Sequence, residues 1–141
     1  MQKIRFYSFD RKCVLKDRKK LKAFIEGLFI QEKKGLGNLS YIFCSDKHLL
    51  GINKEFLNHD FYTDVITFDL SSSKNIIEAE VYISIDRIKE NAKNESVSFT
   101  EELHRVIFHG ALHLCGYKDK KNIDIVQMRL AERAYLKSYF K

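Results

Sequence analysis

The chain of 141 residues carries 25 Lys/Arg against 19 Asp/Glu, a net charge of +6, with 45% hydrophobic residues and neither proline nor tryptophan. That length suits one domain with a sizeable core, and the balance of apolar and charged residues excludes a disordered polymer. No run approaches the roughly 18 consecutive apolar residues of a membrane span, and the charged start MQKIRFYSFDRK predicts no secretory leader. Ile4 to Phe9 alternates loosely and predicts a first strand. The basic run Lys16, Arg18, Lys19, Lys20 and Lys22 follows. Residues 1–34 hold eleven Lys/Arg and four Asp/Glu, so the positive excess is concentrated there. It reads either as a solvated helix face or as a surface for a polyanion such as RNA. Leu21, Phe24, Ile25, Leu28 and Phe29 recur at helical spacing, with Gly35 and Gly37 expected to end that helix. Leu39–Cys44 predicts a second strand, and Asp46 is expected to cap a short helix carrying Leu49, Leu50, Ile52 and Phe56. Val65–Phe68 and Ile77–Ile85 predict a strand pair joined by the short SSSKN loop. The alternation of Ala79, Val81, Ile83 and Ile85 with Glu78, Glu80, Tyr82 and Ser84 gives the second strand one wet face. Asp86 is expected to cap the next helix. Ser98-Phe99-Thr100-Glu101 has capping-box spacing before an apolar helix to about Cys115, which Gly116 stops, and a last amphipathic helix completes the chain. The order β-α-β-α-β-β-α-α-α predicts an α+β fold, a single domain over residues 1–141 in which a small mixed four-stranded sheet packs with helices. Cys13, Cys44 and Cys115 are odd in number and far apart. They predict neither a disulfide framework nor a paired-cysteine zinc site, a pattern that fits a reducing cytoplasm.

The informative segment is His109-Gly-Ala-Leu-His113-Leu-Cys-Gly116-Tyr-Lys-Asp119, an HxxxHxxGxxD pattern. At about 100° per residue, His109 and His113 lie one turn apart on one helix stripe, where both imidazoles reach a single ion. Gly116 lets the chain turn sharply, so that Asp119 returns as a third ligand. Three protein ligands leave one position open for water, the pattern of a catalytic rather than a structural zinc. Nickel, cobalt and iron suit the same donors. Cys115 points roughly 200° away from His113 and is expected to pack; His48, His59 and His104 are expected to be structural or solvated. Zinc peptidases of the HExxHxxGxxH type place a glutamate directly after the first histidine, as general base. Here that position is Gly110, so the peptidase reading lacks its base.

HGALHLCGYKD resembles the signature of the YbeY family of metal-dependent endoribonucleases, usually HGxLHLxGYDH. Ile52-Asn53-Lys54-Glu55-Phe56-Leu57-Asn58-His59-Asp60-Phe61-Tyr62-Thr63-Asp64-Val65-Ile66-Thr67-Phe68 resembles that family's LNxxYRxxDxxTDVLSFP, and Glu80–Asp86 stands where members carry a GDIxIS-like strand. The family's third histidine falls on Asp119. Its arginine, a residue tied to RNA contact or catalysis, falls on Leu57, with Lys54 or Arg87 as conceivable substitutes. The resemblance implies a zinc-dependent, single-strand endoribonuclease of ribosomal RNA processing and ribosome maturation in the cytoplasm. Its partners would be ribosomal RNA and the ribosome, not DNA or membrane. His109, His113 and Asp119 would hold one zinc per chain, and Asn53, Thr63 and Asp64 would support the site or contact substrate. Lys16, Arg18, Lys19, Lys20 and Lys22 would hold the RNA backbone. No side chain is assigned as general base. The alternative is a ribosome-binding assembly factor with a largely structural metal and little nuclease activity.

Overall fold

The structure, a computed structural model, describes residues 3–141. Along the chain run β1 (Ile4–Ser8), α1 (Arg18–Gln31), β2 (Gly35–Cys44), α2 (Asp46–Leu57), β3 (Val65–Asp69), β4 (Ile76–Ser84), α3 (Ile85–Glu95), α4 (Phe99–Leu114) and α5 (Asn122–Tyr139). The strands form one mixed sheet in the order β1-β2-β4-β3. The first three of these are parallel and β3 is antiparallel to β4, as the expected hairpin requires. This is the α+β architecture expected from the element order.

Register explains the core. Ile4, Phe6, Leu39, Tyr41, Phe43, Ala79, Val81 and Ile83 align on one sheet face through the pairs Ile4↔Leu39, Phe6↔Tyr41, Tyr41↔Val81 and Phe43↔Ile83. Against that face lie the apolar stripes of α1 (Leu21, Ile25, Leu28, Phe29) and α4 (Val106, Ile107, Ala111, Leu112). The buried Tyr41 hydroxyl donates to the Ile107 carbonyl at 2.9 Å, so the sheet grips α4 without an orphaned polar atom. On the other face a smaller cluster of Cys44, Leu49, Ile52 and Ile66 sits under α2, while Glu78 and Glu80 stay half-buried.

Three local expectations are corrected. Gly35 and Gly37 do not end α1: the helix stops at Gln31, and Lys33 takes the left-handed turn at φ 61°. Both glycines lie in β2, where close approach of β4 and the loop before it explains them. A Cβ on Gly35 would clash with the Asn75 carbonyl oxygen, and one on Gly37 would stand 2.7 Å from Ile76 Cγ2. The caps of α2 and α3 are Ser45 and Ser84, not Asp46 and Asp86. Their hydroxyls accept from the amides of His48 and Arg87, each at 3.1 Å. The two aspartates stand in the first turn, where the helix dipole favours them, and pair with Arg87 and Arg11. Ser98 caps α4 as expected, accepting from the Glu101 amide at 3.0 Å.

Candidate metal centre

Helix α4 presents His109 and His113 on the stripe facing away from its densest packing, and Gly110 sets its depth. A Cβ at Gly110 would come 2.9 Å from Val81 Cγ1. The helix therefore lies so close to the sheet that any side chain there would press on Val81, and a glutamate of the peptidase kind would be crowded at this position. After Leu114 the chain turns through Gly116 at φ 106°, a conformation only glycine adopts without strain. The turn returns Asp119 over the helix. Its Oδ2 lies 3.2 Å from His113 Nε2 and 3.4 Å from His109 Nε2. Asp119 caps nothing: α5 begins at Asn122 behind Lys121, which makes no side-chain cap bond.

The ligand atoms of His109, His113 and Asp119 all lie within 4.8 Å of one another, a group that could hold a metal ion. The far side of each ring fits that use. His109 Nδ1 meets the Glu132 carboxylate at 2.5 Å, and His113 Nδ1 lies 2.9 Å from the Tyr117 carbonyl oxygen. Both partners accept, so each Nδ1 is the donor there and each Nε2 is left to face the common point. Two imidazole nitrogens and one carboxylate suit a divalent transition metal and leave coordination positions open.

Glu132 is the residue at the candidate site that sequence reasoning missed. It is 1% exposed, and its other oxygen accepts from Arg105 at 3.0 Å. Arg105 also grips Glu102 through two bonds of 2.8 and 2.9 Å, and its guanidinium lies 3.6 Å from Asp64. Burial pulls the Glu132 carboxyl upward. The His109 bond and the Arg105 charge outweigh that and hold it below the usual carboxylate range. Burial likewise works against the charge on Arg105, but Glu102 and Glu132 reverse the balance, so it stays a fixed cation. A signal was present: Met128, Glu132, Tyr135 and Tyr139 share the buried stripe of α5, and a carboxylate on such a stripe needs a partner.

The triad forms part of the wall of an open cleft of about 550 Å³ between α4 and the α2–β3 connection. Asn53, Thr63 and Asp64, expected beside the site, line it. Asn53 is buried and donates to the Phe61 carbonyl at 2.9 Å, Thr63 donates to Val65, and Asp64 accepts from Asn91 at 3.2 Å. Leu57 lines it too. Neither expected substitute for an arginine does: Lys54 pairs with Asp60, and Arg87 pairs with Asp46 and stacks on Tyr62. Lys16, Arg18, Lys19, Lys20 and Lys22 are not brought to the cleft. Lys20 donates to the Tyr139 carbonyl at the end of α5, and Lys22 lies over the Phe6 ring. Of the other histidines, His104 is buried among Phe108, Tyr139 and Phe140, His48 packs on Phe9, and His59 stacks on Phe61; Cys115 is buried in the main core.

Comparison with known proteins agrees with the motif reading. Residues 8–140 match the family model described as Endoribonuclease YbeY. A protein of that name from Cytophaga hutchinsonii is 45% identical over 131 residues, covering 93% of this chain and 92% of its own. Another, from Flavobacterium psychrophilum, is 47% identical over 116 residues, 82% of each chain. The solution structure of TM1509 from Thermotoga maritima superimposes with a TM-score of 0.59 at 27% identity, covering 97% of this chain and 89% of that one. With the family model spanning nearly the whole sequence and the motif residues gathered in one cleft, the chain belongs to the Endoribonuclease YbeY family.

Proposed function

We propose that this protein is a zinc-dependent endoribonuclease, one catalytic domain over residues 1–141, which cuts single-stranded RNA during ribosomal RNA processing and ribosome maturation in the cytoplasm. The observation that carries the reading is the convergence of His109 Nε2, His113 Nε2 and the Asp119 carboxylate in an open cleft, with both remaining imidazole nitrogens already partnered. The relatives' name supplies RNA as the substrate class. When bound there, zinc supplies Lewis acidity toward a phosphoryl oxygen. The chain's own residues do the rest. Glu132, locked by Arg105, fixes the tautomer and direction of His109; the Tyr117 carbonyl does so for His113. Asp64, held by Asn91 near the same arginine, shapes the wall beside them, and Lys120 offers a cation to a phosphate entering the cleft. Outside the cleft, the exposed Lys16, Arg18 and Lys19 contact the RNA backbone.

A second reading has one observation in its favour. Leu57 occupies the cleft where the family's pattern has arginine, and Lys120 is the sole lysine or arginine among the described residues that line it, Arg105 and Arg129 lining the adjoining cavity behind His109 and Asp119. A ribosome-binding assembly factor with a largely structural metal would have that character. Cleavage of a labelled single-stranded RNA by tag-free, zinc-loaded protein separates the two. The nuclease reading expects cleavage that is lost after chelation, restored by zinc and absent in His113→Ala. Activity that persists in that variant is a contaminant, and zinc-loaded protein with no cleavage leaves the assembly factor.

A further inference from the structure

The connection from α2 to β3 carries an aromatic pair that the metal site does not use. His59 and Phe61 stack with ring centroids 5.0 Å apart and planes 22° from parallel, and both line the cleft that holds His109, His113 and Asp119. Phe61 is 55% exposed although one of its faces is covered by His59, so an apolar ring surface is left to solvent at the cleft wall. The pair is anchored. Asn58 ends α2 in the left-handed conformation at φ 58°, the His59 amide donates to the Asn53 carbonyl at 3.0 Å, and Asn53 Nδ2 donates to the Phe61 carbonyl at 2.9 Å. One residue, itself 2% exposed, thus holds both ring-bearing positions through their backbone. The ring of Phe61 contributes nothing to that anchorage.

We propose that His59 and Phe61 form a stacking shelf for one unpaired base of an RNA strand, adjacent to the phosphate that enters the cleft at His109, His113 and Asp119. The proposal rests on the nuclease reading for its substrate class. A base laid on the free face extends the two-ring stack to three layers. Such contacts suit any base, since every base has a π face, and they need a strand whose bases are free to leave the helix. The shelf therefore gives a physical reason for single-strand preference in a cleft with few cations. It also gives Asn53 its role, as the residue that positions the shelf.

The absence of tryptophan makes the test direct. Full-length Phe61→Trp carries a single indole, and the RNA is kept intact by working in chelator. The probes are a ten-nucleotide oligoadenylate, the same ribose-phosphate strand without bases, and a duplex. The shelf predicts that the oligoadenylate quenches the indole of Phe61→Trp, whereas the abasic strand and the duplex do not. Phe61→Leu, which keeps the backbone anchor and an apolar side chain, should bind oligoadenylate about 5- to 150-fold more weakly and the abasic strand unchanged. Unaltered oligoadenylate binding by Phe61→Leu, an unquenched indole at saturation, or equal losses on both strands would each overturn the shelf. An aromatic patch reserved for a protein partner predicts the first of these. Metal-dependent cleavage alongside such a result would leave the nuclease reading standing; quenching without any cleavage would do the reverse.

Discussion

Asp119 stands where the family's usual pattern has a third histidine, and its carboxylate reaches both imidazoles across the Gly116 turn. If it is a ligand, Asp119→Ala should abolish most of the thermal stabilisation that zinc gives the parent, while the metal-free melting temperature stays close to the parent's. Asp119→His should recover zinc stabilisation, because the same turn delivers an imidazole to the same place. A residue serving only as a helix cap would instead cost about 0.5–2 kcal/mol with or without metal. Zinc stabilising Asp119→Ala as much as the parent would remove it from the site. The triad was legible in the sequence because two of its members share one helix and the third lies one glycine turn away. Glu132 was not, because it comes from another helix 23 residues beyond His109, and only packing of α5 on α4 brings the two together.

Helix α4 joins sheet, triad and α5, and two of its residues test that joint. Gly110→Ala gains about 1 kcal/mol of helix propensity, yet its methyl must push into Val81, which is fully buried; overpacking of that kind costs about 1–3 kcal/mol. The denaturation midpoint should therefore fall slightly in the parent, and in a Val81→Ala background the same change should become neutral or stabilising. A clear gain in the parent would contradict the close approach of helix and sheet. His104, nearer the start of the same helix, is stacked on Tyr139 with Nδ1 2.7 Å from the Thr100 carbonyl oxygen. Burial lowers its pKa; the Thr100 bond raises it less, and Lys20 adds to the lowering. Neutral His104 thus contributes stability above the unfolded value near 6.5. That contribution is lost as pH falls below 6.5, because the unfolded chain takes up the proton first. Unfolding midpoints from pH 7.5 to 5.5 should fall more steeply for the parent than for His104→Phe; parallel slopes would refute it. At this scale hydrophobic period and strand alternation revealed element order and sheet type. Gly35 and Gly37 misled because their work is set by neighbours distant in sequence, the start of β4 and the loop before it; Asp46 and Asp86 misled because Ser45 and Ser84, just ahead of them, are equally good caps and take that place.

Across the whole molecule, charge and chemistry are separated. The basic segment lies on α1 and the loop before it, whereas the triad lies in a cleft walled by β3, at the opposite sheet edge from β1. If the exposed lysines hold RNA backbone, Lys16→Gln with Lys19→Gln should reduce the slope of log affinity against log salt by about 0.7 per lost contact, for all sequences alike. An unchanged slope would return the segment to a solvated helix face. Lys20 behaves differently, since it satisfies the Tyr139 carbonyl at the end of α5; Lys20→Gln should lower stability rather than the salt slope. Composition exposed the charge excess but not this division, because a linear sequence does not show which lysine is already occupied. The functional reading depends on an ion held by three residues from α4 and the turn after it. Metal content of tag-free protein after zinc loading and exhaustive dialysis tests that most directly. The parent should hold one zinc per chain and His113→Ala well below one; a parent that retains no zinc, or a variant that retains as much as the parent, would rule out the metal centre.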